Sequence, residues 1–183
     1  MYIKRVFFPV TTLGPGKRVG IWTTGCEKRC SGCMSPELQK KEAGQYMLPT
    51  EIMNIIEEIK APIDGFTISG GEPFLQPDDL ATLTAIIRQK YSEDIIVYTG
   101  YSLDELKAFD NKAVTRILDT ITVLIDGSYI KELDDGKGIR GSSNQKIHML
   151  RQIPIYNGLD FEQCERKLQS VIYDNKVLMV GIK

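Results

Sequence analysis

The feature that most constrains the fold of this chain is an alternation between short apolar runs and amphipathic helical segments. The first four apolar runs each end at a glycine or an Asp-Gly pair, and between them apolar residues recur every three or four positions. Continuous apolar strands that alternate with such helices are typical of a parallel sheet covered by helices. The sequence therefore predicts an α/β fold. The predicted strands are 17–25, 65–69, 95–99, 121–125 and 177–180, and helices are predicted after Thr50, Pro77, Ser102 and Asp160.

Local signals set the expected ends of these helices. Thr50 is predicted to cap the first helix, and Pro62 lies beyond its end. The buried face of that helix is expected to carry four isoleucines, Ile52, Ile55, Ile56 and Ile59. Ser102 and Glu105 have the spacing of a capping box, which predicts the start of another helix. A last helix is predicted over residues 160–170.

The residues with the most distinctive chemistry follow the first four predicted strands. These are a cysteine cluster over 26–33, then 69–72, 98–101 and 126–127. Because loops at the carboxyl ends of strands in βα folds converge on one face, all four segments are expected to line one mouth.

Length and charge restrict the class of protein. A chain of 183 residues is expected to form one domain over 1–183, with a core that needs no disulfides. The net charge of −1 offers no basic surface for nucleic acid or for a membrane, and no apolar run is long enough to span a bilayer. No secretion signal is recognisable, so we expect a cytoplasmic protein without a nucleic acid or membrane partner.

The cysteines point to a metal or redox site. Cys26, Cys30 and Cys33 form a Cys-x3-Cys-x2-Cys motif, and Cys164 lies far from them in sequence. Three thiolates on one loop suit a four-iron cluster with one iron left open. The alternatives are a zinc ion with Cys164 or His148 as its fourth ligand, and unliganded thiols.

Motifs in a fixed order give the chain a resemblance to a known family. They are 14–18, 25–37, 68–73, 98–106, 123–127 and 140–145, the last reading Arg-Gly-Ser-Ser-Asn-Gln. The cysteine motif resembles that of radical S-adenosylmethionine (SAM) enzymes, and the whole series resembles the activating proteins of anaerobic ribonucleoside-triphosphate reductase. The sequence departs from that pattern at Met34, where the family usually has an aromatic residue, and at Leu38-Gln39, where it usually has Thr-Trp.

The resemblance implies a set of cofactor contacts. Cys26, Cys30 and Cys33 would bind three irons of one [4Fe–4S] cluster, act as the catalytic residues with it, and leave the fourth iron to SAM. Glu72 would accept a hydrogen bond from the ammonium group of SAM. The implied cofactor-binding residues are Gly32, Cys33, Met34, Ser69, Gly70, Gly71, Glu72, Thr99 and Gly100.

Other residues carry weaker signals. Thr99-Gly100 and Asp126-Gly127 are as consistent with strand ends and turns as with walls of the site. The 140–145 stretch suits either a site contact or a surface loop. His148 and Cys164 are expected to be structural.

The resemblance also implies a fold and an activity. The expected fold is an incomplete parallel (β/α) barrel of about five or six strands. The expected activity is reductive cleavage of SAM that forms a glycyl radical on a large partner, anaerobic ribonucleotide reductase, with electrons from a flavodoxin- or ferredoxin-type donor. Alternatives are activation of another glycyl-radical enzyme, a small-molecule radical SAM reaction, and a zinc-stabilised adaptor without activity.

Overall fold

The computed structural model describes residues 1–173 and 176–182. The predicted alternation of strands and helices is present, with additional strands near both ends of the chain. In chain order the elements are β1 (Tyr2–Val10), β2 (Arg18–Thr23), β3 (Gln45–Tyr46), α1 (Pro49–Glu57), β4 (Gly65–Gly70), α2 (Pro77–Lys90), β5 (Ile95–Tyr98), α3 (Leu103–Ala108), α4 (Lys112–Thr120), β6 (Val123–Asp126), β7 (Lys146–Met149), β8 (Leu168–Tyr173) and β9 (Lys176–Gly181).

Seven strands form one sheet in the order β3-β1-β2-β4-β5-β6-β7. The four central strands β2, β4, β5 and β6 run parallel, with Arg18 opposite Gly65 and Ile96 opposite Val123. Strands β1, β3 and β7 are antiparallel to their neighbours. The α/β prediction is therefore confirmed, and the parallel part is smaller than expected because antiparallel strands complete both edges.

The two faces of the sheet are covered differently. Ile95 and Val97 of β5 belong to the larger core, in which α2 contacts both α1 and α4. The neighbouring Ile96 points the other way and packs with Ile153 and Tyr156 from the irregular segment after β7. Successive strand residues point to opposite faces, so a continuous apolar strand requires cover on both sides. In the part of the chain that the structure describes, the α-helices cover one face, and the irregular segment after β7 and the β8–β9 region cover the other.

Three predictions about the first and last helices were wrong. The first helix begins at Pro49 with Leu48 as its N-cap, and Glu51 Oε2 accepts a hydrogen bond from the Leu48 backbone N–H at 2.7 Å. Thr50 is therefore inside the helix, because proline is well suited to the first helical position. Ile55, which was expected to be buried, is 42% exposed.

The last predicted helix is replaced by a turn and a strand. Asp160 Oδ1 accepts hydrogen bonds from the backbone N–H groups of Glu162 and Gln163, both at 3.0 Å, in the pattern of a helix N-cap. The helix does not continue because the Cys164 carbonyl accepts from the Gly138 N–H at 2.8 Å and Glu165 forms an antiparallel bridge with Lys137. The chain then enters β8, which pairs with β9 in a separate antiparallel hairpin. The predicted strand 177–180 lies within β9 and is confirmed.

No helix among the residues that the structure describes has both the length and the apolar character needed to cross a membrane.

Candidate functional site

A cavity of about 430 Å³ opens where the parallel strands end. As predicted, segments that follow four different strands contribute to it. Ten of the residues expected at the site line this cavity, namely Cys26, Cys30, Cys33, Met34, Ser69, Gly70, Gly71, Glu72, Thr99 and Gly100. Gly32 is absent from this lining, and a Cβ built on it would lie 3.2 Å from the Lys131 side chain.

The cysteine loop connects β2 to the residues that precede β3. Gly25 and Gly32 have φ angles of 91° and 72°, and Arg29 has a φ of 50°. These left-handed conformations turn the chain sharply within a short segment. The Cys33 backbone N–H donates to the Cys30 carbonyl at 3.2 Å, which closes one such turn.

The base of this loop is held in place by backbone hydrogen bonds. Gly25 N–H donates to the Leu38 carbonyl at 2.9 Å, and Cys26 N–H donates to the Gln39 carbonyl at 3.0 Å. All three loop cysteines are free thiols of intermediate exposure. Burial raises the pKa of the Cys26 thiol, and the nearby Glu72 carboxylate raises that pKa further. A bound metal, which stabilises thiolate, would oppose both effects.

Glu72 is the most buried acidic group of the cavity, with 1% of its surface exposed. Its carboxylate accepts hydrogen bonds from the Phe74 N–H at 3.0 Å, the Thr99 hydroxyl at 2.9 Å and the Gly100 N–H at 2.7 Å. Burial nevertheless raises its pKa. A carboxylate offers about four lone-pair positions, so these three donors leave one for a ligand.

Gly70 and Gly71 lie against the start of the cysteine loop. A Cβ on Gly70, whose φ is +120°, would lie 2.3 Å from the Thr23 carbonyl oxygen, and one on Gly71 would lie 2.3 Å from the Gly25 carbonyl oxygen. Glu72 N–H donates to that same Gly25 oxygen at 2.7 Å. The glycines therefore bring the two loops together more closely than any side chain would allow.

The opposite wall is formed by residues after β6. Gln145 Oε1 accepts from the backbone N–H groups of Gly141 and Ser142 at 2.8 and 3.1 Å, and its Nε2 donates to the Gly127 carbonyl at 2.7 Å. Gly127, Gly141 and Gln145 all line the cavity. Arg140 is engaged with Asp135 at 3.1 Å and is not part of the lining.

The two candidates for a fourth zinc ligand lie outside this cavity. His148 Nε2 is 2.8 Å from Asp126 Oδ2, and Cys164 lines a second cavity near Gly138. Within the described ranges, no three His, Cys, Asp or Glu side chains are grouped as ligands of a single metal ion. The geometry therefore gives no support to a zinc site.

Sequence reasoning missed several residues of the cavity wall. Tyr129 lies in a segment to which no function was assigned, and Trp22 was assigned only to a strand. Lys4 and Arg5 belong to β1, whose sequence does not alternate regularly between apolar and polar residues and so gives no clear strand signal. Leu13, Leu38 and Gln39 were also missed. The largest missed group comes from the β8–β9 hairpin and the residue after it, Leu168, Val177, Leu178, Met179, Val180, Gly181 and Ile182.

Comparison with known proteins identifies the family of this fold and site. Residues 12–148 match the family model described as a 4Fe-4S single cluster domain. The anaerobic ribonucleoside-triphosphate reductase-activating protein of Escherichia coli K12 is 34% identical over 154 residues, which cover 79% of this chain and 97% of that protein. The chain belongs to this activating-protein family.

Other members of the activating-protein family also match over most of their length, from 85% to 96% for the two that follow. The protein of that name from Haemophilus influenzae is 34% identical and is covered over 96% of its length, and the one from phage T4 is 30% identical over 138 residues. The family model includes all three loop cysteines and Glu72 but ends at residue 148. The β8–β9 hairpin therefore lies beyond the residues matched by the model.

Proposed function

We propose that this chain is the activating enzyme of an anaerobic ribonucleotide reductase and that it uses a [4Fe–4S] cluster and SAM to form a glycyl radical on that reductase. The observation that carries this proposal is the cavity in which three free thiols of one loop lie together with Gly70, Gly71 and Glu72. The relatives named for this activity cover most of the chain.

The residues present suit the proposed cluster. Cys26, Cys30 and Cys33 supply three soft ligands from a loop with two left-handed glycines. A structural zinc ion would need a fourth protein ligand, and neither Cys164 nor His148 lines this cavity. A four-iron cluster with one open iron needs only three thiolates, so it fits this donor set better than zinc does. The free thiols also suit a reducing compartment, and we propose the cytoplasm.

Adjacent groups suit SAM. Glu72 has one lone-pair position left for the ammonium group of the ligand, and its carboxylate is fixed by Thr99 and Gly100. The backbone at Gly70 and Gly71 permits close approach of a ligand. We propose that Ser69, Met34 and Gly32 complete the binding segments. A cavity of about 430 Å³ lies in the range of small-molecule sites.

When bound, the reduced cluster would supply one electron that breaks a carbon–sulfur bond of SAM, giving methionine and a 5′-deoxyadenosyl radical that takes a hydrogen atom from the Cα of a glycine. The electron must come from an external one-electron donor, for which we propose a flavodoxin- or ferredoxin-type protein. The protein contributes the position and the electrostatic environment of the reacting groups.

We further propose that residues 1–183 act as one radical SAM domain and that the sheet is an incomplete (β/α) barrel. Its two ends, β3 and β7, are different strands that do not pair with each other among the described residues. An open side of this kind would admit a segment of a large partner to the cavity.

The test is anaerobic incubation of the cluster-loaded protein with SAM, a reductant and the large reductase of the same organism. We expect the doublet electron paramagnetic resonance (EPR) signal of a glycyl radical, and we expect none with the Cys30→Ala variant. SAM cleavage without a radical on the reductase, but with one on another glycyl-radical enzyme, would overturn the assignment of the partner. Absence of SAM cleavage would overturn the proposed chemistry.

A further inference from the structure

The β8–β9 hairpin has one face packed on the domain and one face exposed. Leu178 and Val180 pack with Val10 and Leu13, and the Gln169 side chain donates to the Pro9 carbonyl at 2.8 Å. These contacts fix the inner face. Because side chains alternate along a strand, the residues between them point outward. They include four apolar residues, Leu168, Ile172, Val177 and Met179, which are 48%, 83%, 67% and 48% exposed.

This outer face is uncharged as well as apolar. Residues 168–172 and 177–182 contain no Asp, Glu, Lys or Arg. Ile172 lies directly opposite Val177, and Ser170 lies opposite Met179, so the exposed apolar residues form one cross-strand group. Grouped exposure of this kind, unlike single apolar residues scattered on a surface, marks an interaction site.

The apolar face is continuous with the candidate site. Leu168, Val177 and Met179 are lining residues of the same cavity that contains Cys26 and Glu72. Lys4, Arg5 and Lys28 line other parts of this cavity, whereas the part formed by the hairpin is uncharged. Any segment of a partner that lies along the uncharged part would extend directly towards the cysteine loop.

The edges of the hairpin are not paired with further strands among the described residues, and at one point the Thr12 hydroxyl donates to the Val180 carbonyl at 3.2 Å. Strands β8 and β9 pair with each other and with no other strand among the described residues. An extended peptide can form backbone hydrogen bonds with such an edge while its side chains contact the adjacent apolar face.

We propose that the outer face of the β8–β9 hairpin is a docking surface for an extended, uncharged segment of the partner, namely the segment that carries the glycine to be oxidised. This inference rests on the proposed function, which requires a peptide from the partner to enter the cavity. It adds a binding determinant that lies beyond the residues matched by the family model.

The test compares the same substitution at two exposed isoleucines. Ile172→Lys places a charge on the apolar face at a residue that does not line the cavity, and Ile55→Lys places it on α1, outside both cavities. Ile172→Thr keeps the β-branched shape and replaces the ethyl branch with a hydroxyl without adding charge, so it remains informative if the lysine variant misfolds. Each cluster-loaded protein is assayed for binding to the large reductase, for glycyl radical formation, and for SAM cleavage without the partner.

We expect Ile172→Lys to weaken binding to the reductase about tenfold or more and Ile172→Thr to weaken it less, as for truncation of a central interface residue. Partner-free SAM cleavage should remain within about twofold of wild type in all variants. Ile55→Lys should bind and activate the reductase as wild type does.

Three results would overturn the docking surface without affecting the proposed function. In the first, Ile172→Lys binds and activates the reductase as well as wild type does. In the second, SAM cleavage without the partner falls in parallel with binding, which would indicate that the hairpin only shapes the site. Alternatively, gel filtration could show a wild-type dimer that Ile172→Lys dissociates with unchanged affinity for the reductase, which would make a second copy the occupant. If the wild type cleaves no SAM, the proposed function itself fails.

Discussion

The two ends of the parallel strands are built in opposite ways. At their amino ends, the fully buried Arg18 forms two hydrogen bonds with the Asp94 carboxylate, at 2.5 and 2.8 Å, and a third with the Thr67 hydroxyl at 2.7 Å. The hydroxyl of Tyr156 also donates to Asp94. At their carboxyl ends, three half-buried thiols are free of disulfides, and among the described residues one lone-pair position of Glu72 accepts no hydrogen bond.

This contrast separates stability from chemistry within one sheet. A buried ion pair is costly to break because the remaining charge is left without solvent or a partner. The carboxyl ends instead retain groups with unused binding capacity, which is where ligands bind in βα folds. We therefore expect substitutions at the amino ends to affect folding and those at the carboxyl ends to affect cofactor binding.

The largest expected effect is on the cluster. Cys30→Ala removes one of three thiolates, and we expect the reconstituted protein to lose its iron and its visible iron–sulfur absorption. SAM cleavage should fall by more than the 10- to 100-fold typical of losing a group behind a metal ligand. Cys164→Ala is the matched control, because Cys164 lies in a different cavity, and it should retain both. Equal iron loss in the two variants would contradict this assignment of the ligands.

The next largest effect is on stability. Arg18→Met leaves Asp94 buried and unpaired, so we expect the free energy of unfolding to fall by about 3–5 kcal/mol in urea titrations. Lys90→Met removes an exposed ion pair with Glu57 and should cost about 1 kcal/mol or less. Folded Arg18→Met should still bind a cluster. Comparable losses of stability in these two variants would contradict the contrast between the ends of the strands.

A pair of glycine variants separates backbone strain from damage to the site. Gly71→Ala forces a Cβ against the Gly25 carbonyl, whereas Gly136→Ala has a φ of +70° and nothing within 4 Å of the new Cβ. Each should cost about 1–2 kcal/mol of unfolding free energy, the first through overpacking and the second through strain. Only Gly71→Ala should also slow SAM cleavage, by about tenfold, because it displaces the start of the cysteine loop. A similar decrease in SAM cleavage by Gly136→Ala would show that the rate of cleavage depends only on the stability of the fold.

The smallest effect is a pH dependence. Burial raises the pKa of Glu72 in the folded protein, so this group stabilises the fold fully below its ordinary pKa of 4.5 and loses that contribution as the pH rises through the raised value. Wild type should therefore lose stability relative to Glu72→Gln as the pH increases from 4 towards neutrality. Urea unfolding of both apoproteins across that range measures the difference. A difference that is constant or grows with pH would contradict this prediction.

Strands and helices with strong local patterns could be predicted from the sequence. Leu80, Leu83 and Ile87 recur with helical spacing and are all fully buried, and the Ser102–Glu105 capping box is present. Segments that depend on distant partners could not be predicted in this way. Strand β1 has no regular alternation of apolar and polar residues in its sequence. The segment after Asp160 begins with a helix cap, but a bridge between Glu165 and the distant Lys137 replaces the helix.

The site was predicted better than the segments around it. The glycine-bounded loops after the parallel strands supply 12 of the 31 residues that line the cavity, because topology alone brings their ends together. The sequence did not predict that Thr99 and Gly100 donate hydrogen bonds to Glu72, nor that the hairpin lines the cavity. Both involve contacts between residues far apart in the sequence, and no local pattern encodes them.

The central claim is that the three thiols at the carboxyl ends of the strands hold a cluster that cleaves SAM. The most direct test is anaerobic reconstitution with iron and sulfide, followed by reduction with dithionite in the presence of SAM and measurement of 5′-deoxyadenosine. We predict a brown protein with about four irons per chain that forms 5′-deoxyadenosine only when SAM and reductant are both present. A colourless protein that retains zinc, or a reduced cluster that leaves SAM intact, would contradict the claim.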